Sequence, residues 1–560
     1  MKKFRKVLPS LMIALMVFSM AGFGLLSVSA AKIEKDAETG LPMMADRNHP
    51  VTFKIFVRDP GIVPAKNNPV LKKITELTGV TIDYEFLVGD LLQKIGVMIA
   101  GEDYPDAIFA GDSLQKFIDA GAFIPLENKI KKYPNLNTHY DPFKKVMTAK
   151  DGHIYNLEIY NVPTNAPVFE NHNAGFFIQK AVIEENGYKV PRTIDEYFKL
   201  IENYKAKHPT IDGVKTIGFE ILCDGWRDFC LRNPAQHLMG AGNDGDVYVN
   251  PKTYKASFYQ ITDTAKNYYK KLNEEYNKGI IEPETFTENY DQYISRITTG
   301  AVLGMFDQQW NFWANAENLL RTERKFNRTY ISVPITNPGV KDGYLDDPIS
   351  TFSGLNGMGI TKKCKNPERL LEFYNWLLRQ DVQDYLEWGI EGKDYKKVGK
   401  NDKILTDARR ELTRDFAKAR DLTGYTLWNY SPKREGLYKD GSPCRPAYDS
   451  LAEFMAAQSD YDRKFLAALK INYPAQLLSR PVKRPAYYPV WAMPIEDGSA
   501  AKVANTAMND VTRKYYPRLI MAKPSEYDNL WNKFLADFKA CNPGPYLDEV
   551  NRLIKKRMSQ

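Results

Sequence analysis

What most constrains this chain is the alternation of two hydrophobic periods between residues 51 and 109. Val51-Thr-Phe-Lys-Ile-Phe-Val57 alternates apolar and polar positions, the period of a half-buried strand. Asn68-Pro69 then opens a segment whose apolar residues Val70, Leu71, Ile74 and Leu77 share one helical face, and Gly79 ends it. Residues 80–87 return to a strand pattern, about 90–100 to a helix, and Asp106-Ala-Ile-Phe109 to a third strand. A strand, helix, strand succession joins parallel neighbours by a right-handed crossover, so this βαβαβ run predicts an α/β fold with a parallel sheet covered by helices. Ligands of such sheets lie beyond the carboxyl ends of the strands. Arg58, Asp59 and Gly111-Asp112 are therefore expected at the mouth of a site.

A second α/β region begins near Ala174-Gly-Phe-Phe-Ile178. Thr193-Ile-Asp-Glu196 is a capping box that opens a helix to about Lys207, with Ile194, Phe198, Ile201 and Tyr204 on its inner side. Val302 to Phe306 is a short apolar strand running into Asp307-Gln-Gln-Trp310, and residues 356–361 form another, followed by a helix over about 366–380. The last third reads as mainly helical, including amphipathic stretches at 526–539 and 546–556.

The first thirty residues read as an export signal. Lys2, Lys3, Arg5 and Lys6 precede an apolar run from Leu8 to Leu26, and Val28-Ser29-Ala30 supplies a small-x-small cleavage site. A retained membrane anchor is the other reading of that run; Gly22, Gly24 and the small-residue exit favour cleavage near Ala30. The sequence after the site, SVSAAKIEK, has no cysteine for lipidation, so the product is expected to be free, periplasmic or extracellular. About 530 residues remain, more than one core usually supports, and two lobes are expected. Of the formal charge of +8, four units belong to the leader; the remaining +4, interleaved with acids, gives no footprint for nucleic acid.

The chemical motifs are mostly exclusions. Gly240-Ala-Gly-Asn-Asp-Gly245 matches GxGxxG, but a helix-like segment precedes it and a strand-like one follows, the reverse of a dinucleotide site. It is read as a hairpin turn. The six histidines show no zinc spacing, no GxSxG elbow occurs, and no carboxylate pair is singled out by sequence. Neither a metal nor a catalytic group is assigned. Cys223 and Cys230 could pair across a loop, whereas a continuous helix would hold them roughly 10 Å apart. Two clusters do look chemical: Cys223-Asp-Gly-Trp-Arg-Asp228 and Asp307-Gln-Gln-Trp-Asn-Phe-Trp313. Rings that cover the apolar faces of pyranoses, beside groups that take hydroxyls, suit sugar recognition. Trp226, Trp310 and Trp313 as partly buried core aromatics is the competing reading.

Several segments then resemble one family in order. Asp103-Tyr-Pro-Asp-Ala-Ile-Phe-Ala-Gly-Asp112 with Ala122-Phe-Ile-Pro-Leu126, Lys150 to Leu157, Asn186 to Glu196, Gly300 to Phe306, Gly359 to Glu368 and Tyr385 to Gly392 resemble conserved stretches of extracellular solute-binding proteins of the sugar-binding type, the receptors of ABC importers. The resemblance runs from about 50 to 395 and is nearest to long members that serve oligosaccharides, including uronic-acid ones. It implies a type II two-lobed fold of the periplasmic binding proteins that closes on ligand. The first lobe would take 50–160 and 350–395, the second 165–345 and 396–560, with crossings near 160–166, 346–353 and 395–400. It implies no catalysis, a monomer, an oligosaccharide ligand and membrane permease partners. Asp112 matches a hydroxyl-binding aspartate and Trp310 an aromatic platform, Trp226 lies in a loop that often adds a ring, and Arg58, Arg227, Asp307, Gln308 and Trp428 are further candidates. Some long members carry a calcium loop after the helix that starts at Thr193; here His208 to Gly218 keeps only Asp212 among acidic ligands, and a hard cation needs six or more oxygens. A secreted carbohydrate-active enzyme, or a receptor for a peptide or other solute, remains the alternative.

Overall fold

The computed structural model describes residues 34–159, 165–347, 354, 357–425 and 427–559. The expected leader, and most of the crossings expected near 160–166 and 346–353, lie outside the described residues. Two larger sheets form, of five and four strands, each with its own core. In the first, the strands run in the order Val80–Phe86, Val51–Val57, Ala107–Phe109, Gly357–Ile360, Leu157–Glu158. The first three are parallel, with Val57 opposite both Phe86 and Phe109, as the βαβαβ pattern requires. Gly357–Ile360 returns antiparallel, placing Met358 opposite Phe109, so the sheet is mixed rather than wholly parallel.

The second sheet is ordered Tyr330–Val333, Ala174–Gln179, Val302–Gln308, Ile217–Glu220. Here only Val302–Gln308 and Ile217–Glu220 are parallel; Ala174–Gln179 is antiparallel to both its neighbours. Every residue of Ala174–Gln179 is buried, which is why its sequence is a continuous apolar run instead of an alternation. Gly304 sits in the middle of Val302–Gln308 because a Cβ there would lie 2.1 Å from the Tyr197 hydroxyl, which donates to the Phe177 carbonyl.

Local signals hold where capping chemistry was explicit. Asn68 accepts from the Val70 and Leu71 amides, and Gly79 ends the Pro69–Thr78 helix at φ 70°. Thr193 and Glu196 close a reciprocal capping box on Ile194–Lys207. Gly240–Gly245 is not a hairpin turn but a loop from the helix Pro234–Leu238 to the short strand Tyr248–Val249. Its glycines admit close neighbours: a Cβ on Gly242 would strike the Arg484 guanidinium. All five cysteines are free; Cys230 donates to the Asp307 carboxylate at 3.3 Å.

The helices Ala500–Met521, Tyr527–Ala540 and Gly544–Met558 pack with Asp263–Asn277 against the second sheet's core. The segment just before them divides. Leu427 and Trp428 lie in the first sheet's core, and Asn68 donates to the Arg420 and Thr423 carbonyls, so the chain after 396 does not all join the second lobe. No helix among the described residues is long and apolar enough to cross a membrane.

Asp462 ties the C-terminal part to the second sheet. Only 1% exposed, it accepts from Lys180 at 2.6 Å, Arg321 at 2.9 Å and Ser459 at 2.8 Å. Burial would raise its pKa, but Lys180 and Arg321 more than offset that and hold the carboxyl well below the usual range. Asp462→Ala should therefore cost about 3–5 kcal/mol in urea unfolding at pH 7, since the buried Lys180 loses its carboxylate and Arg321 is left with Glu317 alone. A depressed folded-state pKa stabilises above the unfolded value and fades below it. The gap between wild type and variant should accordingly shrink below about pH 4.

The segment His208 to Gly218 contains a hairpin. Thr210–Ile211 pairs with Val214–Lys215 through Asp212-Gly213, both at positive φ (50° and 82°), and Asp212 faces Lys325 at 3.6 Å. Among the described residues no group of three or more His, Cys, Asp or Glu could hold a metal. Calcium and chelator are expected to leave the melting temperature unchanged, because a ligand of the folded state would otherwise shift it by mass action. A chelator-induced drop would contradict this.

Candidate functional site

The second sheet builds an aromatic platform through strand pairing. Ile217–Glu220 and Val302–Gln308 are parallel neighbours, with Met305 opposite Glu220, so their carboxyl ends release two loops side by side. One turns through Gly225–Asp228 and carries Trp226; the other runs into the helix Gln309–Phe312 and carries Trp310. The two indoles stack nearly parallel, 14° apart with centroids at 5.9 Å, yet remain 57% and 45% exposed. The two rings, held in register by their neighbours, form a flat exposed aromatic surface and are not part of the core.

Each ring is positioned by named contacts. The Trp310 indole donates to the Gln308 side chain at 2.7 Å, which fixes its plane. Arg227 lies over the Trp226 ring at 4.5 Å and the Tyr290 ring at 4.1 Å, and donates to the Asn311 side-chain oxygen at 3.0 Å. Tyr290 in turn donates to the Asn311 carbonyl at 2.6 Å. Gln308 and Arg227 therefore set the platform's shape.

Asp307 is a different case. It is wholly buried and already accepts from Tyr293 at 2.7 Å, Cys230, the Gln308 amide and both Asn311 approaches at 3.1 Å. Burial pushes its pKa up to about 6. It is a sealed support beneath the loop and offers nothing to a ligand, contrary to the expectation that it binds one. Trp428 is corrected as well: 6% exposed, it packs on Phe373 in the first sheet's core, with centroids 5.6 Å apart.

On the first sheet, Arg58 and the Gly111–Ser113 turn meet as the strand order predicts. Gly111 has φ 52°, and a Cβ there would fall 2.2 Å from the Arg58 guanidinium carbon, so only glycine lets Arg58 lie across the turn. Asp112 lies in that turn; its side chain is outside the described residues. The next helix, Leu114–Asp119, presents Lys116 to Asp497 at 2.5 Å, and Lys150 faces Glu496 at 3.3 Å. The helix that starts at Ala500 then carries Arg513 to Asp228 at 2.6 Å, beside Trp226. The ends of both sheets thus border one segment, 496–513.

A second polar and aromatic group adjoins the platform, and sequence reading missed most of it. Trp313, three residues after Trp310, meets Tyr448 edge to face at 6.1 Å, and Tyr448 also meets His172 at 4.9 Å. His172 contacts the Gln309 side-chain oxygen, while Gln309 donates to Glu170 at 2.8 Å. Burial lowers the His172 pKa, so the ring is neutral near pH 7. Arg445 stacks over Tyr448 at 4.8 Å, and the carboxyls of Glu170, Glu387 and Glu435 all act on the Tyr448 hydroxyl, which burial pushes up to about 12. These residues come from positions 170–172, 309–313, 387 and 433–449, too scattered for any spacing rule to unite them.

The model of the bacterial extracellular solute-binding protein family matches residues 60–384. The fructooligosaccharide ABC transporter substrate-binding protein FusA of Streptococcus pneumoniae is 30% identical over 258 residues, 44% of this chain and 47% of that protein. The chain thus matches about half the length of that relative. The polygalacturonan/rhamnogalacturonan-binding protein YtcQ of Bacillus subtilis is 22% identical over 410 residues, 70% of this chain and 74% of that one. Among solved structures, S. pneumoniae FusA in complex with kestose has a TM-score of 0.64 at 21% identity, covering 91% of this chain and 100% of that one. An HMO-binding, ABC-transporter-associated solute-binding protein from Bifidobacterium longum infantis has a TM-score of 0.61 at 15% identity, covering 90% and 99%. These likenesses give the two-lobed fold. Because the family model spans more than half of the sequence, the chain belongs to the bacterial extracellular solute-binding proteins.

Proposed function

We propose that this protein is an exported, monomeric receptor that captures an oligosaccharide between its lobes and delivers it to the membrane permease of an ABC importer, without catalysis. The observation that carries this reading is the exposed, parallel Trp226–Trp310 pair, framed by Gln308 and Arg227. Pyranose faces lie on such rings while amides and guanidinium take hydroxyls. Asp112, at the end of the first sheet's third strand, is the proposed hydroxyl ligand from the facing lobe. The relatives that bind fructooligosaccharide and polygalacturonan support a carbohydrate over a peptide. The sealed Asp307 lends no support to hydrolysis, since a catalytic carboxylate must reach the substrate.

The lobes are proposed to be 50–160 with 350–395, and 165–345 with most of 396–560, hinged near 160–166, 346–353 and 395–400. Leu427 and Trp428 belong with the first. Across the proposed cleft, the exposed pairs Lys116–Asp497 and Lys150–Glu496 are each worth under about 1 kcal/mol. Ligand contacts on both sides would add to the preference for the closed form.

Trp310→Ala and Trp226→Ala should each weaken oligosaccharide binding by more than tenfold in calorimetry, about 2 kcal/mol if the ring is a hot spot, while the melting temperature stays within a few degrees. Wild-type affinity with early melting would make both rings structural. Small-angle scattering should show the full protein becoming more compact on adding a cognate oligosaccharide; an unchanged profile with ligand bound would rule out closure.

A further inference from the structure

The junction beside the platform carries a distinctive charge pattern. Its two cations are already spent. Arg445 forms a bidentate pair with Asp449, Nε and Nη2 each at 2.9 Å, and its third nitrogen meets Glu435 at 3.0 Å. Lys433 lies 3.5 Å from the same Glu435. Four carboxyls, from Glu170, Glu387, Glu435 and Asp449, therefore surround two internally paired cations. Among the described residues, none hydrogen-bonds to the Glu387 carboxyl or to the Tyr425 and Tyr448 hydroxyls, and all three side chains are half-buried. Half-buried polar groups without a protein partner are open to a ligand that reaches them. Glu387 lies at the end of a helix packed on the first sheet's core, Tyr448 against the loop and helix of the second. A ligand bound between the lobes would meet them next to Trp313.

We infer, resting on the oligosaccharide reading above, that this junction selects electrically neutral oligosaccharides and excludes uronate chains, with Glu387, Tyr425 and Tyr448 taking the hydroxyls of the sugar next to Trp313. A hydroxyl donates to Glu387 and accepts from either tyrosine, so one neutral sugar completes all three groups. A sugar carboxylate at the same place would face like charge, with Arg445 and Lys433 already paired to carboxylates. Arg227, at the far end of the platform, pairs with no carboxylate among the described residues. An acidic unit could be held there, one unit of the chain and not a run of them.

The test is calorimetry of the full protein against two panels of equal length: neutral tri- and tetrasaccharides of several linkages, including kestose, and tri- and tetragalacturonate. At least one neutral sugar should bind tenfold or more tightly than either galacturonate. Glu387→Gln should weaken that neutral sugar tenfold or more, with Glu170→Gln as a second variant should the first not fold. In each variant the penalty on galacturonate should shrink. If galacturonate binds wild type as tightly as the best neutral sugar, and Trp310→Ala weakens it, the oligosaccharide reading stands and this inference is overturned. If no sugar of either panel binds, the carbohydrate reading fails and this inference with it.

Discussion

The parallel pairing of Ile217–Glu220 with Val302–Gln308 is the contact on which the site depends. Two parallel neighbours must release their chains at the same edge, so whatever follows each strand meets there. Here that is Trp226 from one loop and Trp310 from the next, and their stacking follows from the register of Met305 against Glu220. The antiparallel neighbour Ala174–Gln179 enters from the opposite direction, which brings His172 and Glu170 to the same edge by their strand's beginning.

Beneath that edge, buried polar chemistry fixes the rings. Asp307 receives donors from Tyr293, Cys230, its own following amide and Asn311, and Asn311 then holds Arg227 against Trp226. The chain of contacts runs from a desolvated carboxyl to an exposed ring without a gap. A platform held in this way loses little freedom when a sugar arrives, which favours affinity.

Above the edge, Glu387, Tyr425 and Tyr448 are half-buried and have no hydrogen-bond partner among the described residues, whereas Asp462, Asp307 and Arg445 are matched by their neighbours. On the oligosaccharide reading, the first set meets the ligand and the second holds the fold. The pairs at the rim, Lys116–Asp497 and Lys150–Glu496, are exposed and therefore weak.

Much of the local architecture was legible in the sequence, because caps and periodicity act over a few residues. The Asn68 cap, the Gly79 stop, the Thr193–Glu196 box and the first three strands all follow from neighbours in the chain. So did Trp226, Trp310 and Gln308 as strand-end groups. Tertiary structure alone decided which way later strands run, since direction depends on connections that extend well beyond the reach of local signals. It also decided that Asp307 is sealed and Trp428 is core: an aspartate or tryptophan reads alike in sequence whether neighbours cover it or not. The Glu387, Arg445 and Tyr448 group was invisible for the same reason, because only folding brings it to His172 and Trp313.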